Sequence, residues 1–347
     1  MEAQMAIMDI PFMSFKQFSE HQEDVGVVIE QKLLEEMLSA GQEEKRLAVE
    51  AGDILPDGTP WITVVVDGSW GTRSHGHKYT SHGGMAAVIG LRTKKLLFYG
   101  VRNKFCSVCA RAGSSAGAPA HKCFRNWVGT STAMESDIII EGFNRSEEMH
   151  GVRFIEFIGD GDSSVYKNIL SYVSYGRNVR KVECANHVTK CFTSALYDIA
   201  KQNKEAKKVL SKVRISRMKI CVRKMIKHRA QERMESNGDK DQSARTLSSD
   251  VKNASFHVLG HHNKCLPYYC NVVSGSVACP PPETEISTEL KISLLKAADV
   301  VCNKSRSLVV YDATSNLENL MSQVASSFLL STSNRKLDVA GGKNPRR

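Results

Sequence analysis

Two aspartates directly follow short apolar runs, and each is followed in turn by a glycine. Residues 61–66 lead into Asp67, and residues 152–158 lead through one glycine into Asp160-Gly-Asp162. Apolar runs of this length that are rich in β-branched residues predict buried strands. Carboxylates at strand ends are rigidly supported ligands for divalent cations, and pairs of such cations catalyse displacement at phosphorus. The aspartates are therefore candidates for a metal-dependent active site.

Residues 160–162 also have two simpler interpretations. Asp and Gly are ordinary turn formers, so on these residues alone the segment could be an acidic turn. A calcium-binding loop would need glycine at its sixth position and glutamate at its twelfth, where the chain has Val165 and Ser171. The same strand-aspartate-glycine pattern occurs upstream at Asp67, which favours the active-site interpretation.

Closely spaced cysteines and histidines indicate a second kind of chemistry. Cys106-x2-Cys109 and His121-x-Cys123 are two pairs joined by a loop of eleven residues that is rich in Gly, Ala and Ser. The N-terminus does not have the pattern of a signal peptide, so reduced thiols are expected. We predict that these four residues, the first Cys/His group, bind one structural zinc ion; surface cysteines without metal are the alternative.

A wider set of the same residue types lies further along the chain. The expected second zinc site uses two pairs that bracket a helical segment: Cys184, His187, Cys265 and Cys270. Three nearby histidines compete as ligands, because the spacing is wide: His257, His261 and His262.

The chain of 347 residues has a formal net charge of +10, and this charge is unevenly distributed. Residues 201–235 contain thirteen Lys or Arg and three Glu. A polyanionic partner, above all nucleic acid, is expected, with a solvated basic helix as the alternative. Because aromatic residues are not interleaved with these cations, we expect contacts with phosphates and not with bases. The expected DNA-contacting residues are Lys207, Lys208, Lys212, Arg214, Arg217, Lys219, Arg223 and Lys224.

The pattern of apolar residues predicts one α/β scaffold for these sites. Strands are expected at 61–66, 85–90, 96–101, 152–158 and 179–184, with the first three in an antiparallel meander. Helices separate the last three strands. This is the order of the ribonuclease-H fold, in which the first and fourth strands are adjacent.

Three local patterns add further expectations. Thr132 and Glu135 have the spacing of a capping box that begins a helix. Residues 14–51 predict two amphipathic helices broken near Gly41. Residues 236–253 have the composition of a polar linker.

Several multi-residue blocks, in fixed order, resemble the transposase domain of animal Mutator-like elements, and the arthropod type in particular. They are Asp67-Gly-Ser-Trp70, Asn103-Lys-Phe-Cys106-Ser-Val-Cys109, His121-Lys-Cys123-Phe-Arg-Asn-Trp127, Ser131-Thr-Ala-Met-Glu135, Ile158-Gly-Asp160-Gly-Asp162-Ser-Ser-Val-Tyr166 and Glu183-Cys184-Ala-Asn-His187. The resemblance covers residues 9–320. It implies cut-and-paste DNA transposition by a DDE domain with a ribonuclease-H-like core, that is, a mixed sheet flanked by helices.

The resemblance implies that Asp67 and Asp160 are the first two catalytic acids, with Asp162 in a supporting role. The third acid should be a glutamate on a late helix, and Glu318 in Thr314-Ser-Asn-Leu-Glu318 occupies that place. These residues would bind two Mg²⁺ ions. Beyond Glu318 the chain departs from the family pattern, and no N-terminal DNA-binding module is expected.

The expected function is therefore cleavage and strand transfer of DNA in the nucleus, acting on transposon ends and target. Neither a membrane nor a small-molecule substrate is an expected partner, whereas a second copy of the chain is a candidate partner. Two alternatives stay open. One is a domesticated, catalytically inactive DNA-binding or scaffold protein, and the other is a ribonuclease-H-type nuclease without a transfer step.

We expect five segments along the chain. They are an N-terminal helical segment (1–58), the first part of the core (59–189), a basic helical insertion with the His/Cys patch (190–300), a C-terminal helix completing the core (301–330) and a disordered basic tail (331–347).

Overall fold

Five strands form one mixed sheet in the computed structural model, which describes residues 13–70, 81–113, 117–121, 123–159, 163–202, 204–278 and 286–310. The strands are β1 (Trp61–Trp70), β2 (Gly83–Gly90), β3 (Leu96–Asn103), β4 (Arg153–Gly159) and β5 (Arg180–Glu183). Their order in the sheet is β3-β2-β1-β4-β5. The predicted α/β class and antiparallel meander are confirmed.

Helices flank the sheet and then form a separate cluster after β5. They are α1 (Phe15–Glu50), α2 (Ser107–Arg111), α3 (Ala133–His150), α4 (Ser163–Tyr172), α5 (Ala185–Gln202), α6 (Lys204–Val209), α7 (Lys212–Ser236), α8 (Lys240–Val258), α9 (Thr288–Cys302) and α10 (Ser305–Leu308). Among the helices of the described residues, none has the length and apolarity needed to cross a membrane.

β1 is the central strand and joins the two halves of the sheet. It pairs antiparallel with β2, with Asp67 opposite Ala87, and parallel with β4, with Val65 opposite Ile158. β4 also pairs parallel with β5. The predicted adjacency of the first and fourth strands is confirmed. The carboxyl ends of β1, β4 and β5 lie together, and we call this side the carboxyl edge.

One face of the sheet is covered by α3, α4 and the second half of α1. Phe143 of α3 packs edge-on against Phe154 and Phe157 of β4, with ring centroids 5.3 and 6.0 Å away. All three side chains are buried, and burying each contributes roughly 1.5–3 kcal/mol. This packing fixes the position of α3 against β4.

α1 is one continuous helix of 36 residues, so the predicted break near Gly41 is wrong. Gly41 lies where α1 passes the end of α3: a Cβ at this position would be 2.0 Å from Nδ1 of His150. His150 is buried, and its Nε2 is 3.0 Å from the carbonyl oxygen of Leu97 in β3. The glycine marks a close approach of two helices and does not end one.

The helices after β5 have a hydrophobic core of their own, to which α5 to α10 all contribute. Most of α8 comes from the segment predicted as a polar linker, and that prediction is wrong. α8 begins after the N-cap residue Asp239 and buries Leu247, Val251 and Ala254. These side chains recur at helical spacing, so the many polar residues form the outer face of an amphipathic helix.

The other face of the sheet carries a smaller cluster that includes Val65 and Ile158. Val310, the last described residue, packs in this cluster. Arg233 of α7 donates hydrogen bonds from its guanidinium group to the carbonyl oxygens of Val309 and Val310, at 2.8 and 3.0 Å. These bonds fix residues 309–310 in position. The chain therefore returns from the helical part to the sheet at residues 309–310.

Candidate active site and metal-binding groups

Asp67 lies near the end of β1, at the carboxyl edge, and is half-buried. The backbone N–H of Gly68 donates to its Oδ1 at 2.9 Å, which restricts rotation of the carboxylate. The other predicted acids, Asp160, Asp162 and Glu318, lie outside the described residues. Their convergence with Asp67 stays a prediction.

Hydrogen bonds tie the end of β1 to the loop before α3. The indole Nε1 of Trp70 donates to the carbonyl oxygen of Ser131 at 3.0 Å, and the Ser131 hydroxyl donates to the carbonyl oxygen of Ser81 at 2.8 Å. Lys104 donates its ammonium N–H to the same hydroxyl at 3.1 Å. Two blocks that are distant in sequence, 67–70 and 131–135, therefore meet at one end of the sheet.

Glu135 does not form the capping box that the sequence predicts. Thr132 has helical backbone angles and makes no side-chain capping hydrogen bond. Glu135 reaches toward β1: a Cβ built on Gly68 would lie 2.6 Å from its Cδ and 2.8 Å from its Oε2. The missing side chain at Gly68 lets a second carboxylate approach the backbone beside Asp67. Sequence reasoning missed this contact, although the glycine after Asp67 was a signal for it.

The four residues of the first Cys/His group converge, with all ligand atoms within 4.8 Å of one another. Nε2 of His121 is 3.2 Å from Sγ of Cys106 and 3.4 Å from Sγ of Cys109, and the latter is 3.7 Å from Sγ of Cys123. Ligands about 2.0–2.3 Å from a tetrahedral zinc ion are roughly 3.3–3.8 Å apart. The group has the dimensions of a zinc site, and its sulfur atoms are too far apart for disulfides.

Hydrogen bonds and burial orient the ligands of this group and change their pKa values. Nδ1 of His121 donates to the carbonyl oxygen of Pro119 at 2.7 Å, which turns Nε2 toward the thiols. The same hydrogen bond is the main reason why the pKa of His121 is raised to about 9. The backbone N–H of Cys109 lowers the pKa of Cys106 to about 6, whereas burial raises the pKa of the Cys109 thiol to about 11. Zinc would displace the remaining protons, so affinity should rise with pH.

The segment around the first group, residues 105–130, has almost no apolar packing of its own. Among its described residues only Cys106 and Cys109 are buried. Three of its large apolar side chains are exposed, namely Phe105, Phe124 and Val128, and Val108 and Trp127 are only half-buried. A metal ion bound by the first group would order this segment, because ligand capture and local folding are coupled.

A second Cys/His group lies in the helical part and consists of His257, His262, Cys265 and Cys270, again with all ligand atoms within 4.8 Å. Nδ1 of His257 is 3.3 Å from Sγ of Cys265, and Nδ1 of His262 is 3.4 Å from Sγ of Cys270. Both cysteines are buried in the helical core. Burial lowers the pKa of His257 and so favours the neutral imidazole, which is the form that binds a metal.

The second group includes neither Cys184 nor His187, contrary to the sequence-based expectation. Cys184 is 3% exposed and belongs to the cluster on the second face of the sheet. His187 has its Nε2 3.4 Å from Sγ of Cys191, one turn further along α5. Among the described residues the competing His257 and His262 complete the group in their place. Sequence spacing could not reveal this, because packing against the sheet determines which way Cys184 points.

A buried polar network supports the second group. Arg229 of α7 pairs with Asp250 of α8, with Nε 2.7 Å from Oδ2 and the two side chains 8% and 6% exposed. The Tyr268 hydroxyl donates to the same oxygen at 2.6 Å. Asn253 donates to the Tyr269 hydroxyl at 3.0 Å. No sequence pattern indicated this network, because Arg229 is only one of many cations in its segment.

Most of the predicted DNA-contacting cations are exposed on α6 and α7. The exposed ones are Lys207, Lys208, Lys212, Arg217, Arg223 and Lys224. Lys219 is half-buried, and half-buried Arg214 donates to the carbonyl oxygen of Val209 at 3.1 Å. Within the described part of the chain, no carboxylate pairs with any of the six exposed cations. Their charges are therefore available to an anionic partner.

Comparison with known proteins identifies the family. The Mutator-like transposase family matches residues 1–270, which include Asp67, Asp160 and both Cys/His groups but not Glu318. No curated protein and no solved structure matches the chain. Because the match extends over more than half of the sequence, the chain belongs to the Mutator-like transposase family.

Proposed function

We propose that the chain is a DDE-type transposase domain that cleaves DNA and transfers strands with two divalent ions. The parallel pairing of β1 with β4, in a chain of this family, is the observation that carries the proposal. Val65 and Ile158 are partners in that pairing, and Asp67 and Asp160 each follow two residues later. If this register continues for two more residues, Asp67 and Asp160 lie side by side at the carboxyl edge.

The order of elements supports a ribonuclease-H-like core. The central β1 has the antiparallel strands β2 and β3 on one side and the parallel strands β4 and β5 on the other, and helices connect β3 to β4 and β4 to β5. Such a core brings acids from β1 and β4 to one edge.

Glu318 is the proposed third acid. Val310 packs against the β1–β4 pair from the second face of the sheet. Glu318 follows Val310 by eight residues, which span about 12 Å as a helix and at most about 29 Å when extended. The glutamate can therefore reach the carboxyl edge. Asp162, beside Asp160, would support the site from the loop after β4.

The residue types fit magnesium, which takes oxygen ligands from few carboxylates and from the substrate. When bound, two Mg²⁺ ions supply activation of the attacking oxygen and stabilisation of the leaving oxygen. Asp67, Asp160 and Glu318 would hold them. The contribution of Asp67 is a carboxylate fixed on a rigid strand by the N–H of Gly68, so little reorganisation is needed.

The remaining features support a DNA substrate, and the nuclear location is proposed only because the proposed substrate is DNA. The six exposed cations of α6 and α7 would neutralise phosphates, and zinc ions in the two Cys/His groups would hold residues 105–130 and 257–270 in place. Both roles are structural or electrostatic, since four protein ligands leave no open position for a substrate.

A strand-transfer assay tests the proposal directly. Duplexes that end in the termini of the encoding element and carry a free 3′-hydroxyl are incubated with the full chain, supercoiled plasmid and Mg²⁺ or Mn²⁺. We expect joined products that disappear in Asp67→Asn and Asp160→Asn. Nicking without joining would instead indicate a nuclease. DNA binding without either reaction would indicate a catalytically silent protein.

A further inference from the structure

The carboxylate of Glu135 occupies the space that a side chain at position 68 would fill. A Cβ on Gly68 would be 2.6 Å from Cδ and 2.8 Å from Oε2 of Glu135. The N–H of the same glycine donates to Oδ1 of Asp67 at 2.9 Å. The two carboxylates thus approach the same glycine. The bonds and contacts that connect them through Gly68 limit the distance between Oδ1 of Asp67 and Oε2 of Glu135 to about 9 Å.

This upper limit is comparable with the size of a two-metal site. Two ions about 3.5–4 Å apart, each with ligands about 2.0–2.1 Å away, span about 8 Å between outer ligand atoms. This limit leaves room for Asp67 and Glu135 to ligate one pair of ions while β1 and α3 keep their positions.

Neighbouring side chains hold Glu135 in this position. Met134 is fully buried, and its Sδ would lie 3.1 Å from a Cβ on Gly84 of β2. Ser136 is buried and accepts a hydrogen bond from Nδ2 of Asn168 in α4 at 2.8 Å. The first turn of α3 is fixed on both sides of Glu135, so the direction of its side chain is set by packing.

An ordinary role for an acid in a first helical turn is to interact with the helix dipole from the surface. Glu135 is instead half-buried and faces the strand that carries Asp67. Two carboxylates at the same edge repel each other, and partial burial makes the repulsion stronger. A divalent cation bound by both carboxylates would favour their charged forms.

We infer that Glu135 is a fourth acid of the active site and contributes its carboxylate to the divalent cations held by Asp67. This inference rests on the proposed two-metal function. Gly68 then has a defined role, because any side chain there would displace the Glu135 carboxylate.

Manganese binding to the full, zinc-loaded chain tests the inference without depending on activity. Free Mn²⁺ is measured by electron paramagnetic resonance during titration, in the presence of a duplex with a 3′-hydroxyl end. The variants are Glu135→Gln, Gly68→Ala and Asp67→Asn. Glu148→Gln is the matched control, because Glu148 is an exposed acid near the other end of α3. Thermal unfolding verifies that each variant is folded.

We expect Glu135→Gln to weaken Mn²⁺ binding about tenfold or more, as Asp67→Asn does, and Glu148→Gln to leave it within twofold. Gly68→Ala should weaken it without removing a charge. If Glu135→Gln binds like the unchanged chain while Asp67→Asn does not, the inference is overturned and the proposed function stands. If Asp67→Asn also binds normally, both fall.

Discussion

At the residue scale, the contacts with the clearest consequences are those of buried ionisable side chains. His150 is 1% exposed and packs against Gly41 of α1. Arg229 and Asp250 form an ion pair that is almost completely buried. In each case burial changes the cost of carrying a charge, so pH and substitution should have effects of predictable sign.

The first prediction concerns His150. Burial lowers its pKa below the ordinary value near 6.5, so the unfolded chain binds this proton more readily than the folded chain. The free energy of unfolding should be unaffected by His150 above pH 6.5 and should fall as the pH drops below it, by up to about 1.4 kcal/mol per pH unit. Urea unfolding at pH 7.5 and 5.5 should show a smaller acid loss in His150→Gln. An equal loss in both proteins would contradict the prediction.

The second prediction concerns the Arg229–Asp250 pair. Arg229→Met leaves Asp250 buried without its cation, which should lower the free energy of unfolding by about 3–5 kcal/mol. The double variant Arg229→Met/Asp250→Leu removes both charges. It should lower the free energy of unfolding by less than Arg229→Met does. Urea unfolding of the three proteins measures the difference. A double variant that is less stable than Arg229→Met would contradict the prediction, because the unpaired charge of Asp250 would then not be the cause of the loss.

At the element scale, α7 has one face that packs in the core and one exposed basic face. Met218, Val222 and Met225 are fully buried in the helical core. Arg217, Arg223 and other cations lie on the opposite, exposed face. The cations therefore lie on the exposed face of α7, opposite its buried face. They can be substituted without disturbing the fold.

The third prediction follows from this surface. Changing Lys212, Arg217, Arg223 and Lys224 to Glu should weaken DNA binding strongly and reduce the salt slope by roughly 3–4, since each phosphate contact contributes about 0.9. Fluorescence anisotropy with a labelled duplex at several salt concentrations measures both quantities. A control variant reverses four exposed cations elsewhere: Lys16, Lys32, Arg46 and Lys95. Similar losses in both variants would mean that α7 has no special role.

The fourth prediction concerns the metal content of the two Cys/His groups. The chain should contain about two zinc ions, one per group. Cys106→Ser/Cys109→Ser and Cys265→Ser/Cys270→Ser should each reduce this to about one, as measured by elemental analysis. Cys191→Ser is the control, because Cys191 is exposed and belongs to neither group. A zinc content that is unchanged in either double variant would exclude that group as a site.

At the scale of the whole molecule, the features that sequence could predict are those determined locally. The strands at 61–66 and 152–158 can be predicted because apolar β-branched runs of this length are typical of buried strands. The first Cys/His group can be predicted because its ligands are close in sequence. The glycine inside the unbroken α1 is explained by the close approach of Gly41 to His150. The composition of the second group could not be predicted, because Cys184 packs in the cluster on the second face of the sheet and is not one of its ligands. Such features arise only when distant elements pack together, so no local pattern could reveal them.

The last prediction concerns how differently the two metal groups contribute to the whole fold. The first group lies in a segment with almost no buried apolar side chains, so its loss should disorder residues 105–130 and leave the sheet intact. Cys265 and Cys270 are part of the helical core, beside Asn253 and Tyr269. Loss of the second group should therefore loosen α8 and its neighbours as well.

Hydrogen exchange on the two double cysteine variants distinguishes these outcomes. In Cys106→Ser/Cys109→Ser, faster exchange should be confined to 105–130, with a thermal midpoint close to that of the unchanged chain. In Cys265→Ser/Cys270→Ser, faster exchange should extend through α8 to the helices packed on it, and the thermal midpoint should fall by several degrees. The reverse pattern would mean that the first group, and not the second, holds the core together.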